Sequence, residues 1–250
     1  KRYNNNNNNN NIQHVFEEVF DTQQVLPMGI AGDRSPQLLY RIQNGILKRT
    51  SKQTQTQNND DDSKTIPKNP SNPDIIWLLI GTNDFSDGCG PYAVLRGQLE
   101  IVASLRYYHP QARIVVQGLL PRPNPKGLWD TYYYNTSVHD STRYYDKIQW
   151  INGRLRCLFS QNDDTHEENV GEMNIFQNVE YFDPDPYFVT REEIPDERLG
   201  DGNNRTTFVA RLLTVPKDIL PDGLHPSAKA SRIWGKAMAT RIEQILSERH

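Results

Sequence analysis

Six successive apolar residues, Ile75-Ile76-Trp77-Leu78-Leu79-Ile80, constrain the fold of this chain more than any other feature. The run is far shorter than the roughly 18 apolar residues a membrane-spanning helix needs. Its lack of alternation fits a strand covered on both faces. A strand of that kind needs helices above and below it, and the flanking sequence offers them. Residues 35–44 carry Leu38, Leu39 and Ile42 at helical spacing and end at Gly45, a residue suited to a helix C-cap. Residues 94–108 place Leu95, Leu99, Val102 and Leu105 on one side. Residues 144–159 read as a third helix, and 226–246 as a last one with Ile233, Ala237, Ile242 and Ile245 inward. Residues 25–30, 114–116 and 179–182 read as further strands. The alternation predicts an α/β fold, a doubly wound parallel sheet flanked by helices.

Three polar stretches interrupt this pattern. Asparagines fill positions 4–11, residues 50–73 are Asn-, Asp- and Thr-rich, and 160–206 is acidic, with Glu192 and Glu193 among its carboxylates. The first two lack the apolar side chains needed to offset ordering entropy. The third reads as solvated surface. These stretches explain why only 36 % of the chain is hydrophobic although its apolar residues are clustered. The expected organisation is an asparagine tract over 1–13 and one domain over 14–250, with polar insertions at about 50–73, 122–145 and 160–206. A net charge of −3 gives no basic footprint for nucleic acid. Two cysteines, Cys89 and Cys157, exclude a disulfide-dense scaffold and a cysteine-rich zinc module; whether they pair stays open. His14, His109, His139, His166 and His250 lack metal-like spacing and read as surface or structural.

In parallel sheets, ligands bind beyond the carboxyl ends of the strands, and three short motifs fall at such places. Gly29-Ile30-Ala31-Gly32-Asp33 follows the first expected strand, where Gly32 allows close backbone approach and can turn its N–H into a cleft, or simply serves a tight turn. Gly81-Thr82-Asn83-Asp84 follows the IIWLLI run, and the Asn83 amide there can donate to a developing oxyanion or cap a turn. Asp222-Gly223-Leu224-His225-Pro226-Ser227 precedes the final helix. Its three-residue spacing lets Asp222 accept from one ring nitrogen of His225 and leave the other as a base, or makes a plain helix cap.

Together these motifs resemble the SGNH (GDSL-type) hydrolase family, and within it the platelet-activating-factor acetylhydrolase catalytic-subunit type. HVFEEVF at 14–20, GIAGDRSPQLLYRIQNGIL at 29–47 and YHPQARIVVQGLLPR at 108–122 carry the same resemblance. The resemblance implies a flavodoxin-like fold and a serine esterase needing no cofactor. In that reading, His225 is the general base and Asp222 its orienting partner. The Gly32 backbone N–H and the Asn83 side-chain amide form the oxyanion hole. The implied substrates are small esters, lipids or acetylated carbohydrates, with acetyl or other short acyl groups foremost. Subunits of this type can form a homodimer and bind a regulatory partner. A carbohydrate O-deacetylase and a non-catalytic binding module are the alternatives. The sequons at Asn135 and Asn204 would matter only on a secretory route, so compartment stays open.

One family element is absent: no Gly-Asp-Ser occurs in the sequence. Gly32-Asp33-Arg34-Ser35 imitates it with the serine one position late. The expectation is that the nucleophile, on a first central strand, lies upstream of Lys1. Residues 1–250 alone would then expose unpaired backbone and be poorly soluble and inactive. Aromatics at Trp129, Tyr132, Tyr133, Tyr134, Tyr144 and Tyr145 could wall an acyl or sugar pocket, or equally pack on the body.

Overall fold

The computed structural model describes residues 14–21, 25–46, 73–122, 144–160, 176–195, 208–216 and 218–249. The chain divides into two compact units. One takes in residues 22–119 and 151–183, the other 1–21, 120–150 and 184–250.

The first unit is built on a parallel sheet. Strands β1 (Ile75–Leu78), β2 (Arg113–Gln117) and β3 (Val179–Phe182) lie in the order β1-β2-β3, with Ile75 opposite Arg113 and Ile114 opposite Val179. β2 is central: Ile114, Val115 and Val116 are fully buried, as a strand covered on both faces must be. Helix α4 (Pro91–Tyr108) connects β1 to β2, the crossover that parallel pairing demands. Its buried stripe is Val94, Gln98, Ile101, Val102 and Leu105. The stripe is turned by about one residue from the expected one, because Leu95 and Leu99 are only half-buried while Gln98 is fully buried.

Helix α2 (Ser35–Arg41) ends short of the expected residue 44, and a wider turn over Ile42–Ile46 follows it, in which Gly45 takes φ +154°. α2 packs tightly on α4 at Gly97, where an added Cβ would sit 2.7 Å from the Ser35 Cβ. Short helix α3 (Thr82–Ser86) follows β1 directly. Helix α5 (Tyr144–Phe159) spans the unit boundary at residue 150. Its later turns add Ile151, Leu155 and Phe159 to the first unit's core. Asn152 receives the Leu119 N–H at 2.8 Å and donates to the Leu119 carbonyl at 3.0 Å, pinning the chain just after β2.

Residues 25–30 do not form the expected strand. They have no regular secondary structure, and Leu26 and Ile30 are 62 % and 55 % exposed. A strand persists only where a neighbour takes its backbone hydrogen bonds. Among the described residues these have no such neighbour, and β1 is paired on one side only.

The second unit carries helix α1 (residues 14–20), α6 (Asp185–Phe188) and α7 (Ala228–Ser247). Val19 of α1 packs against Gly235 of α7, and the Arg232 guanidinium grips the Glu18 carboxylate with donors at 3.0–3.2 Å. Phe188, Ile219, Leu220 and Ala230 form the core, with Trp234 edge-on to Phe188. The inward face of α7 is Ala230, Gly235, Ala239 and Ile245. Ile233, expected inside, is 42 % exposed. Tyr145 is buried, so this member of the aromatic group packs on the body.

The acidic segment contains structure that its composition conceals. Glu192 and Glu193, expected as solvated surface, belong to strand β4 (Thr190–Pro195), which pairs antiparallel with β5 (Phe208–Thr214). The apolar β5 sequence FVARLLT supplies the partner that makes a strand of TREEIP. The asparagine tract, nearly all of 50–73, both sequons, Trp129, Tyr132–Tyr134, His139, His166 and His250 lie outside the described residues.

Candidate active site

Gly81 stands at the start of the candidate residues in the first unit. It holds φ +120° at the exit from β1, and a Cβ there would meet Val94 Cγ1 at 2.8 Å, so only glycine fits this turn. The buried Gln98 amide donates to the Ile80 carbonyl at 2.7 Å, satisfying the backbone just before the turn. The chain then enters α3, which places Asn83 half-buried and Asp84 buried.

Asn83 and the glycine loop are brought together. The Asn83 Nδ2 donates to the Asp33 carbonyl at 2.9 Å, one residue beyond Gly32. An amide nitrogen has two protons, so one anchors the loop and the second is available to a substrate oxygen. Gly32 is exposed, with φ +81°, in a turn closed by the Asp33 N–H donating to the Ile30 carbonyl at 3.1 Å. Its own N–H has no acceptor among the described residues. An unspent backbone donor beside a side-chain amide is the donor set an oxyanion hole needs.

Asp222 and His225 are likewise joined, in the second unit. Asp222 Oδ2 lies 2.6 Å from His225 Nδ1, while Oδ1 accepts the backbone N–H groups of Leu224 at 2.9 Å and His225 at 2.7 Å. An ionised carboxylate has no proton to give, so the shared proton sits on Nδ1 and Nε2 is left as the acceptor. Partial burial would raise the Asp222 pKa. The bonds from the His225 ring and the two backbone N–H groups outweigh it and hold the carboxyl below its usual 3.8. The side chains are 73 % exposed for His225 and 57 % for Asp222, so the pair orients an imidazole and adds little to stability.

The alternative of a helix cap is taken by another residue. Ser227 is the N-cap of α7: its hydroxyl accepts the Ala230 N–H at 3.1 Å and donates to the Asp218 carbonyl at 2.5 Å. Ser35, the serine of the imitation block, is also unsuited to nucleophilic attack. It is buried, and its hydroxyl donates to the Asp84 carboxylate at 3.3 Å. Cys89 and Cys157 are both free thiols. Among the described residues no group of three His, Cys, Asp or Glu could hold a metal, and no helix is long and apolar enough to cross a membrane.

Residues 2–233 match the family of GDSL-like lipases and acylhydrolases. The chain belongs to this family. Among curated relatives, this GDSL-like chain is 32 % identical over 114 residues to platelet-activating factor acetylhydrolase IB subunit alpha1 of Rattus norvegicus, covering 44 % of the chain and 39 % of that protein. It is 30 % identical over 115 residues to subunit alpha2 of Homo sapiens, covering 44 % and 40 %. The match thus spans about two-fifths of the length of these relatives. A Streptococcus pneumonia protein named for platelet activating factor shares the fold, with TM-score 0.52 and 19 % identity over 90 % of this chain and 76 % of that one. The α/β architecture with a parallel sheet is therefore the family's.

Gly81 and Asp84 lie in the motif after the apolar run, but sequence reasoning gave a role only to Asn83; the supporting role of Gln98 left no signal in the sequence.

Proposed function

We propose that this chain carries the base, its orienting carboxylate and the oxyanion donors of a carboxylic ester hydrolase acting on short-acyl, chiefly acetyl, esters. The observation that carries the reading is the 2.6 Å Asp222–His225 contact, which fixes a basic Nε2 in a member of an acylhydrolase family. The acetyl preference is supported by the curated relatives, which are named acetylhydrolases.

In this reading His225 Nε2 takes the proton of a serine hydroxyl as the oxygen attacks the ester carbonyl carbon. The negative charge on the carbonyl oxygen is met by the Gly32 N–H and the Asn83 amide. Collapse breaks the ester C–O bond, and the imidazolium returns its proton to the departing alcohol. Water, deprotonated by the same Nε2, then attacks the acyl carbon; the acyl–serine C–O bond breaks, the acid leaves, and the imidazolium returns the proton to the serine oxygen. Asp222 stabilises the imidazolium in both halves without taking its proton. In this reading the serine comes from outside these 250 residues, because the family's Gly-Asp-Ser block does not occur in them, and Ser35, the serine of the imitation block, is buried.

The test is hydrolysis of p-nitrophenyl acetate by the complete protein and by its His225→Ala variant. The expected loss in kcat is about 10³-fold or more, with the thermal transition unchanged. Activity retained within tenfold would overturn the role given to His225.

A further inference from the structure

The Gly81-Thr82-Asn83-Asp84 motif contains a carboxylate that the reaction above does not use. Asp84 is only 4 % exposed, and no cation pairs with it among the described residues. A buried carboxylate without a counter-ion is costly unless hydrogen bonds satisfy it. Among the described residues, its donors all come from one residue 49 positions earlier. The Ser35 N–H reaches both oxygens, at 3.2 and 3.1 Å, and the Ser35 hydroxyl donates to Oδ2 at 3.3 Å.

The neighbouring contacts run in step with this one. The Asp33 carbonyl accepts from Asn83, Arg34 forms an ion pair with Asp87, and Ser35 binds Asp84. Three successive residues after Gly32 are thereby stitched to one turn of α3. Of these links the Asp33 bond leans on the half-buried Asn83 and the Arg34 pair is part-exposed. The Asp84 bonds alone are buried at both ends.

We propose that Asp84 is a positioning residue that sets the aim of both oxyanion donors, holding the backbone after Gly32 through Ser35 and fixing α3, and with it the Asn83 amide, against that backbone. The inference rests on the esterase reading given above. Donors of this kind act chiefly on charge that develops in the transition state, so misaligning them lowers kcat and leaves KM nearly unchanged.

Asp84→Asn keeps the shape but turns an amide N–H toward the Ser35 donors. In the complete protein, with active sites counted by the p-nitrophenol burst, kcat for p-nitrophenyl acetate is expected to fall about 10- to 100-fold with KM within about threefold. Backbone amide exchange at Asp33 and Ser35, whose N–H groups are hydrogen-bonded, measured in the complete protein, is expected to speed up about tenfold or more, while exchange in β2 stays unchanged. A normal kcat per active site with unchanged exchange at Ser35 would overturn the proposal, as would a rise in KM alone. Should Asp84→Asn fail to fold, Ser35→Ala carries the test, since it deletes only the hydroxyl bond. A fall in kcat of about threefold at constant KM supports the proposal, and an unchanged kcat with a lowered Tm contradicts it. If the unsubstituted protein shows no esterase turnover, the esterase reading fails by itself. The exchange result then still decides whether Asp84 holds the loop.

Discussion

The glycine-loop region and the Asp222–His225 turn are built on opposite plans. Around Gly32, contacts join residues 49 and 50 positions apart, with Asp84 and Ser35 buried at their centre. Around His225, every bond from Asp222 spans two or three residues and both side chains are largely exposed. Part of the candidate chemistry is therefore a property of the fold, and part is a property of a short peptide turn. Substitutions in the first region should cost stability and activity together. Substitutions in the second should cost activity almost alone.

The largest expected effect separates the two plans most sharply. Asp222→Asn preserves the turn's size, but its amide would donate to Nδ1, move the ring proton to Nε2 and remove the base. Its kcat is expected to drop about 10⁴-fold, with Tm within about 2 °C of the unsubstituted protein because the pair is exposed. Kinetics and a calorimetric scan on one preparation check it, and a Tm loss rivalling that of the core variants would erase the contrast. Asn83→Ala comes next. It removes an oxyanion donor and a loop anchor at once, so kcat should fall about 10²- to 10³-fold and Tm should fall as well.

Gly81→Ala touches no reacting group yet should destabilise by about 3 kcal/mol, because its Cβ would press on Val94 Cγ1 in a backbone conformation that favours glycine. Urea unfolding measures that change, and a neutral result would mean that the turn after β1 is softer than its contacts indicate. The smallest effect concerns the second unit away from the turn. The hydrogen bond from Arg232 and its charge hold the Glu18 carboxyl below its usual 4.5. A lowered folded-state pKa gives stability that is complete above the unfolded value and lost as pH falls through the folded one. Glu18→Gln should therefore lower Tm slightly at pH 7. The gap should start to close below about pH 4.5 and vanish once Glu18 is protonated in the native protein.

The same division decides what was legible in the sequence. The Asp222–His225 contact could be read from spacing, because three residues in a turn leave few arrangements. The Ser35–Asp84 bond could not, since no local pattern relates positions so far apart. In the fold, β1, β2, β3, α4, α5 and α7 follow from apolar runs and helical periodicity, although the run at 75–80, expected to be covered on both faces, is only partly buried over Ile75–Trp77 and exposed at Leu79. Residues 25–30 carry the same kind of run and form no strand, because strand formation depends on a neighbour that a one-dimensional pattern does not contain. β4 shows a different gap: TREEIP carries no strand signal of its own, and its backbone pairing with β5 makes it a strand. Gln98 marks the limit of periodicity, a polar residue in a buried stripe whose purpose is the Ile80 carbonyl.

The central claim, that His225 activates a serine contributed from outside residues 1–250, is tested most directly by covalent labelling of the complete protein with a fluorophosphonate, followed by peptide mapping. The account predicts one label per chain on a serine outside these residues, formed about 10³-fold more slowly or not at all in His225→Ala. A label on any serine within residues 1–250, or labelling as fast without the imidazole as with it, would contradict it.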